Sequence, residues 1–271
     1  MTPPPTSARW SPAPLLKGSA ALHVGAAAMV IARAQLWPWA LGSVLLNHAL
    51  LAALGLWPRS TLLGPNLTRL PASAANRGEV ALSIDDGPES AVTPRVLDIL
   101  DEYRAKATFF CIGKRVEKQV ALAREIVRRG HAIENHSYRH LNYFSFLGPR
   151  ALGYEIERAQ EVIGAVTGRR PIFFRAPAGL RSPLLDPVLA RLELRLASWT
   201  RRGFDAVSRD AESVYSRLTT GLAAGDILLL HDGHAARTRS GTPVILEVLP
   251  RLLGTFAQAR LTPVPLEAGL T

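Results

Sequence analysis

From Glu79 onward, short apolar runs alternate with longer segments whose apolar positions recur every three to four residues. VALSI (80–84), ATFFCI (107–112), HAIEN (131–135), IFFRA (172–176), LRLASWT (194–200) and DILLLHD (226–232) are strand candidates, and LTPVPL (261–266) is a possible seventh. Between them, 93–105, 120–130, 151–168, 183–193, 213–225 and 243–259 carry the helical period. Pro94 at a first turn and Gly130 at an end punctuate two of these helices, and Pro250 is expected to kink or break the last. This alternation predicts an α/β domain with a parallel sheet and helices outside it. Six or seven units favour a barrel. Neither G-x-G-x-x-G nor a Walker loop is present to support a nucleotide-binding doubly wound sheet.

The pattern before residue 79 differs. Ser19 to Ile31 is uncharged and rich in Ala, Val and Leu. Arg33 and Gln35 interrupt it, and Trp37 to Trp57 is again free of formal charge and long enough to cross a bilayer. Trp37, Trp39 and Trp57 stand near its ends, as interfacial aromatics do, while Asn47 and His48 fall mid-span. The expected organisation is a Pro-rich leader (1–18), one or two transmembrane helices (19–57), a linker (58–78) and a main domain (79–271). A two-span hairpin is favoured over a single span at 37–57, over a soluble apolar subdomain and over a cleaved signal peptide, whose apolar region would be shorter and earlier. In a hairpin, Arg9, Lys17, Arg59, Arg69 and Arg77 lie on one side and only Arg33 on the other, which directs the main domain to the cytoplasm. A single span with Arg33 inside directs it outward.

Composition changes this picture little. The chain has 271 residues, 48% hydrophobic and 20% charged, which excludes a disordered protein. Its net charge of +10 is carried mainly by scattered arginines. The pairs Arg128-Arg129, Arg169-Arg170 and Arg201-Arg202 lie far apart without interleaved aromatics, so no nucleic-acid partner is expected and an anionic membrane surface fits better. Cys111 is the only cysteine, which excludes an intramolecular disulfide.

Candidate chemistry gathers at the strand C-termini, where parallel β/α folds build their sites. Asp85-Asp86 follow the first strand, His136 and His140 the third; Arg175 ends the fourth, Asp205 lies beyond the fifth, and His231-Asp232 end the sixth. Each has a bland reading alone. Asp-Asp-Gly-Pro is a solvated turn, H-S-Y-R-H a surface or core histidine pair, His231-Asp232 a satisfied strand end and Arg175 an ion-pair partner. Together at one mouth, two histidines four residues apart and a carboxylate make an open metal site with positions left for water.

The motifs S-I-D-D-G-P (83–88), H-S-Y-R-H (136–140), F-R-A-P-A-G (174–179), W-T-R-R-G-F-D (199–205) and L-L-H-D (229–232) resemble, in order, the five motifs of the polysaccharide deacetylases, carbohydrate esterase family 4. The resemblance covers about residues 79–266. It implies a distorted (β/α) barrel of about seven strands, preceded here by the membrane-helical segment, and a divalent metal, commonly zinc. It also implies Asp85 as general base, Asp86, His136 and His140 as metal ligands, and Arg175 as the residue that holds the base. Asp205 would orient the general acid His231, and Leu229, Pro177 and Trp199 would contact substrate.

There are departures. Ala178 stands where the family often has Tyr, Arg202 where many members have an acidic residue, and Ala206 where many have Trp. A mouth without these aromatics suits a long glycan less well, and Arg181, Arg201 and Arg202 are candidates to meet an anionic substrate. The expected activity is metal-dependent hydrolysis of an N-acyl amide, an acetyl, on an amino sugar of a cell-envelope glycan. A lipid-linked sugar precursor bearing an acyl or formyl group is the alternative substrate. A non-catalytic metal- or glycan-binding relative is the alternative of another class, though it would need neither Asp85 nor His231; a membrane-associated scaffold is a third. The expected location is a bacterial-type inner membrane.

Overall fold

The computed structural model describes residues 10–270. Two apolar helices, α1 (Pro14–Ala32) and α2 (Trp37–Gly55), come first, and the short α3 (Ala72–Asn76) leads into the main domain. There follow β1 (Glu79–Asp85), α4 (Thr93–Glu102), β2 (Thr108–Cys111), α5 (Gly113–Lys118), α6 (Val120–Arg128), β3 (Ala132–Asn135), α7 (Pro149–Thr167), β4 (Phe173–Phe174), α8 (Leu185–Arg191) and β5 (Arg195–Leu196). The chain continues through β6 (Arg201–Arg202), α9 (Ala211–Thr219), β7 (Ile227–His231), α10 (Val244–Gln258) and β8 (Thr262–Val264).

All strand pairs are parallel, in the order β5-β4-β3-β2-β1-β7-β6, with β8 added to the N-terminal half of β1. The seven strands read from the pattern are all present. β4 and β5 are only two residues each, and β6 is additional. The sheet curls into an open barrel. Period-two alternation sorts its two faces: Val80, Leu82, Ile84, Phe109, Leu228 and Leu230 pack under the helices, while Ala81, Phe110, Ile227 and Leu229 fill the interior. Each fully buried Leu or Ile contributes about 1.5–3 kcal/mol relative to an exposed one.

Three expectations change. Residues 58–78 form no free linker; they seal the barrel between β5 and β6. Leu67 pairs with Ala197, the Thr200 hydroxyl donates to Thr68 O at 2.8 Å, and Arg69 pairs with the buried Asp226 at 3.0 Å. Pro250 does not break α10: its missing N–H costs one hydrogen bond, but Val244, Ile245, Val248, Leu249, Leu252, Leu253 and Phe256 bury a continuous face, which outweighs it. Finally, α1 begins at Pro14, inside the segment read as leader (1–18); residues 1–9 of that leader, with Arg9, lie outside the described residues.

α1 and α2 form an antiparallel hairpin. Asn47 Nδ2 donates to Ser19 Oγ at 2.8 Å, and the His23 and His48 rings meet edge-on at 5.1 Å, so the mid-span polar groups partner one another between the helices. Val24, Ile31, Trp39, Leu45, Leu46 and Leu50 face outward. Both ends of the hairpin return to the main domain: Trp10 Nε1 donates to Asp186 at 2.7 Å, and Arg181 N–H donates to Gly55 O at 3.1 Å.

Candidate active site

The strand ends converge on a cavity of about 280 Å³ whose lining includes Asp85, Asp86, His136, His140, Leu229 and His231. A larger hollow of about 990 Å³ at Ser208–Glu212 holds none of these groups. Trp199 lines the cavity; Pro177 does not, and its neighbours Ala178 and Gly179 do. Asp232 leaves the mouth: its buried carboxylate turns back to accept from the Thr93 hydroxyl at 2.5 Å, and burial pushes its pKa up to about 7.

In a regular strand, Asp85 and Asp86 would point to opposite faces. β1 ends at Asp85, and Asp86 takes a left-handed φ of 74°, which returns its carboxylate to the cavity. Asp is among the residues that tolerate this conformation best. A Cβ on Gly233 would collide with Asp86 O, so only glycine lets the chain after β7 pass so close.

Asp85 is buried and ion-paired. Arg175 Nη1 donates to its Oδ1 at 2.5 Å and to Ser83 Oγ at 2.9 Å. The same guanidinium donates to Ala197 O and Ser198 O at 3.2 and 2.9 Å and lies 3.9 Å over the Phe110 ring. Every part of this 1%-exposed cation is therefore engaged, which a buried charge requires.

Asp86 Oδ1 lies 3.2 Å from His136 Nε2 and 3.3 Å from His140 Nε2. His136 Nδ1 is 2.8 Å from Arg175 O, and a carbonyl only accepts, so Nδ1 carries the proton. In neutral His136, Nε2 therefore presents a lone pair to a carboxylate oxygen that has no hydrogen-bond partner. Two acceptors facing each other in a buried place call for a cation between them. The three ligand atoms lie within 4.8 Å of one another, and two imidazoles with one carboxylate are a donor set for a divalent ion, so these residues fit the metal. The same closeness of carboxylates and imidazoles governs their protonation. Burial alone would lower the His136 pKa, yet Asp85 and Asp86 raise it, while burial beside His136 pushes His140 down to about 4. Burial raises the Asp86 carboxyl, but contacts with His136 and His234 outweigh it and hold the pKa well below the usual range.

His231 is joined to Asp205 twice: its N–H donates to Oδ2 at 2.7 Å, and Nδ1 lies 2.9 Å from Oδ1. Burial opposes charge on the ring, but Asp205, Asp85 and Asp86 prevail and push its pKa up to about 9. The imidazolium is therefore the neutral-pH form, with Nε2–H left to donate.

Sequence reasoning missed His234. Its Nδ1 lies 2.9 Å from Asp86 Oδ2, and Arg115 Nη2 is 3.2 Å from its Nε2. Arginine only donates, so Nε2 accepts and Nδ1–H donates to Asp86, fixing the carboxylate through its second oxygen. The only sequence signal was the spacing H-D-G-H (231–234). Of the arginines expected to meet an anion, Arg201 is tied to Asp226, Thr220 O and Gly221 O, and Arg181 is buried against Gly64 O; Arg202 alone reaches the cavity.

Residues 72–197 match the family model described as polysaccharide deacetylase. The chain is 32% identical over 179 residues to a peptidoglycan-N-acetylglucosamine deacetylase of Bacillus cereus, covering 65% of this chain and 83% of that one. It is 35% identical over 159 residues to a chitooligosaccharide deacetylase of Azorhizobium caulinodans, covering 58% and 75%. A family 4 carbohydrate esterase from Streptomyces lividans, solved with acetate, superposes with a TM-score of 0.62 at 29% identity over 69% of this chain and 91% of that one. The chain belongs to the polysaccharide deacetylase family. Its members are hydrolases of carbon–nitrogen bonds other than peptide bonds and use a divalent metal.

Proposed function

We propose that this protein is a membrane-anchored hydrolase that removes an N-acyl group, an acetyl, from an amino sugar of a cell-envelope glycan. The observation that carries this reading is the set of three partnerships around one cavity: Asp86 with His136 and His140, Asp85 with Arg175, and His231 with Asp205. A glycan-binding relative would need the first but neither of the others. The names of the relatives, deacetylases of peptidoglycan and chitooligosaccharide, support the substrate class.

Asp86, His136 and His140 would hold the metal, and zinc suits a His₂Asp set. When bound, the ion supplies Lewis-acid polarisation of the acyl carbonyl and of a water. Asp85, ion-paired with Arg175, takes the proton as the water oxygen bonds to the acyl carbon. His231, charged by virtue of Asp205, gives its proton to the sugar nitrogen as the C–N bond breaks. The products are a carboxylate and an amine. Leu229 and Trp199 wall the place of the acyl group. Residues 14–55 serve as a two-helix anchor, with the domain from residue 79 onward as the catalytic unit.

The test is acyl release from a panel of N-acetyl and N-formyl amino sugars, with and without chelator. Release that a chelator abolishes and zinc restores supports the reading. Bound metal with no release from any member would favour the binding-protein alternative.

A further inference from the structure

The catalytic cavity has an annex. A groove of about 420 Å³ runs from its rim to the C-terminal end of the hairpin and is walled by Leu56, Trp57, Pro58, Arg59, Leu180 and Phe204. The two spaces share Ala178, Trp199 and Arg202, so they meet at these side chains. The junction is built tightly: a Cβ on Gly179 would strike Trp199 and approach Pro58 to 2.9 Å, and Ser198 Oγ donates to Pro58 O at 2.7 Å. The chain leaving α2 is thus one wall of the site.

Arg202 is the unusual group here. Its guanidinium stacks against Trp199 at 5.2 Å and Phe204 at 4.9 Å. Among the described residues it has no carboxylate within ion-pair distance, and its Nε is buried with no hydrogen-bond partner. Neighbouring Arg201 differs, being committed to Asp226, while Arg59 spends one donor on Thr200 O at 3.2 Å. A planar fork in contact with two rings, with no ion-pair partner and lining both spaces, is a receptor for an oxyanion, phosphate above all. Beyond it the groove turns apolar, and Leu56 and Trp57 are 65% and 53% exposed where the hairpin ends.

We infer that the amino sugar is met on a lipid-linked precursor of the glycan, joined through a phosphate to a lipid chain. The inference rests on reading the hairpin as a membrane anchor and the site as a deacylase. With the hairpin in a bilayer, Trp57 marks the interface, and the groove opens there. The sugar occupies the catalytic cavity, the phosphate meets Arg202 with Arg59 beside it, and the lipid leaves along Leu56 and Trp57 into the membrane. Charge complementarity, continuity with the catalytic cavity and the position of the groove mouth each favour this occupant. The cavity itself is at the small end of ligand pockets.

The full chain in detergent micelles is assayed for acetate release from three substrates: a long-chain alkyl N-acetylglucosaminyl phosphate, N-acetylglucosamine 1-phosphate and a neutral chitooligosaccharide. The lipid phosphate should have the highest kcat/KM. Arg202→Gln should erase its advantage by about 10- to 100-fold, the worth of a charge-assisted pair, with Arg202→Lys recovering part. Equal rates on the lipid and lipid-free phosphates overturn the lipid. Equal rates on the neutral sugar, or an equal loss on all three substrates in R202Q, overturn the phosphate site. A second readout does not need turnover: tryptophan fluorescence titrated with a long-chain alkyl phosphate and with the matching alcohol. Wild type should prefer the phosphate, and R202Q and Arg59→Gln should lose that preference. Absence of hydrolysis with the preference intact strikes the deacylase reading alone; absence of the preference strikes the groove.

Discussion

Asp85 and His231 are register partners across the parallel β1–β7 pair. The proposed base and acid therefore share one rung of the sheet, at the end where both strands stop. Their opposite chemistry comes from what each touches on its other side. Arg175 pairs with Asp85, and Asp205 helps hold His231 cationic. Two groups on one rung are thus placed to take and to give a proton in the proposed reaction.

Arg175 carries a buried charge, and its loss should be felt by the fold as well as the reaction. Arg175→Met leaves Asp85 buried without its partner, at a cost of about 3–5 kcal/mol. Adding Asp85→Asn should recover a large part of that loss. Urea unfolding of the single and double variants checks this; equal destabilisation in both would deny the coupling.

The His231 ring should titrate far above an ordinary histidine in the metal-free protein, near pH 9. Because the folded value is raised, the stability it contributes is fully present below about pH 6.5 and is lost as pH rises through 9. Asp205→Asn removes an anion and should move the ring's pKa down. NMR titration of the His231 ring reads both values directly, and an unchanged pKa in D205N would refute the assignment of Asp205.

His234 should matter to the metal more than to the fold. His234→Ala removes the N–H that fixes Asp86 Oδ2 and should weaken metal affinity by about 10- to 100-fold. His234→Gln, which can still donate, should recover part of it, and Arg115→Gln should show a smaller loss. Competition with a chelating dye measures this, with thermal unfolding as the control for structure.

Much of the barrel was legible because burial imposes a period. Val80, Leu82 and Ile84 turn to the helices while Ala81, Ser83 and Asp85 turn inward, and that alternation is written in β1 itself. The site was legible for the related reason that strand ends collect polar residues. What escaped depends on partners distant in sequence. β6 is two arginines, a strand only because Arg201 and Arg202 pair with Leu228 and Leu229. The segment 58–78 has no period of its own because it lies as a seam between β5 and β6. Asp232 sits beside His231, yet Thr93 draws it out of the mouth. His234 gains its role from a contact with Asp86, distant in sequence, that no local pattern encodes.

In the proposed reaction Asp85 and Asp86, adjacent in the chain, do different work. This division is tested by measuring bound metal and acetate release side by side in Asp85→Asn and Asp86→Asn. D85N should keep its metal while turnover falls by about 10²- to 10⁴-fold, the contribution of a positioned base. D86N should lose metal and recover activity only as the metal concentration is raised. Full turnover in D85N, or metal loss in D85N equal to that in D86N, would contradict it.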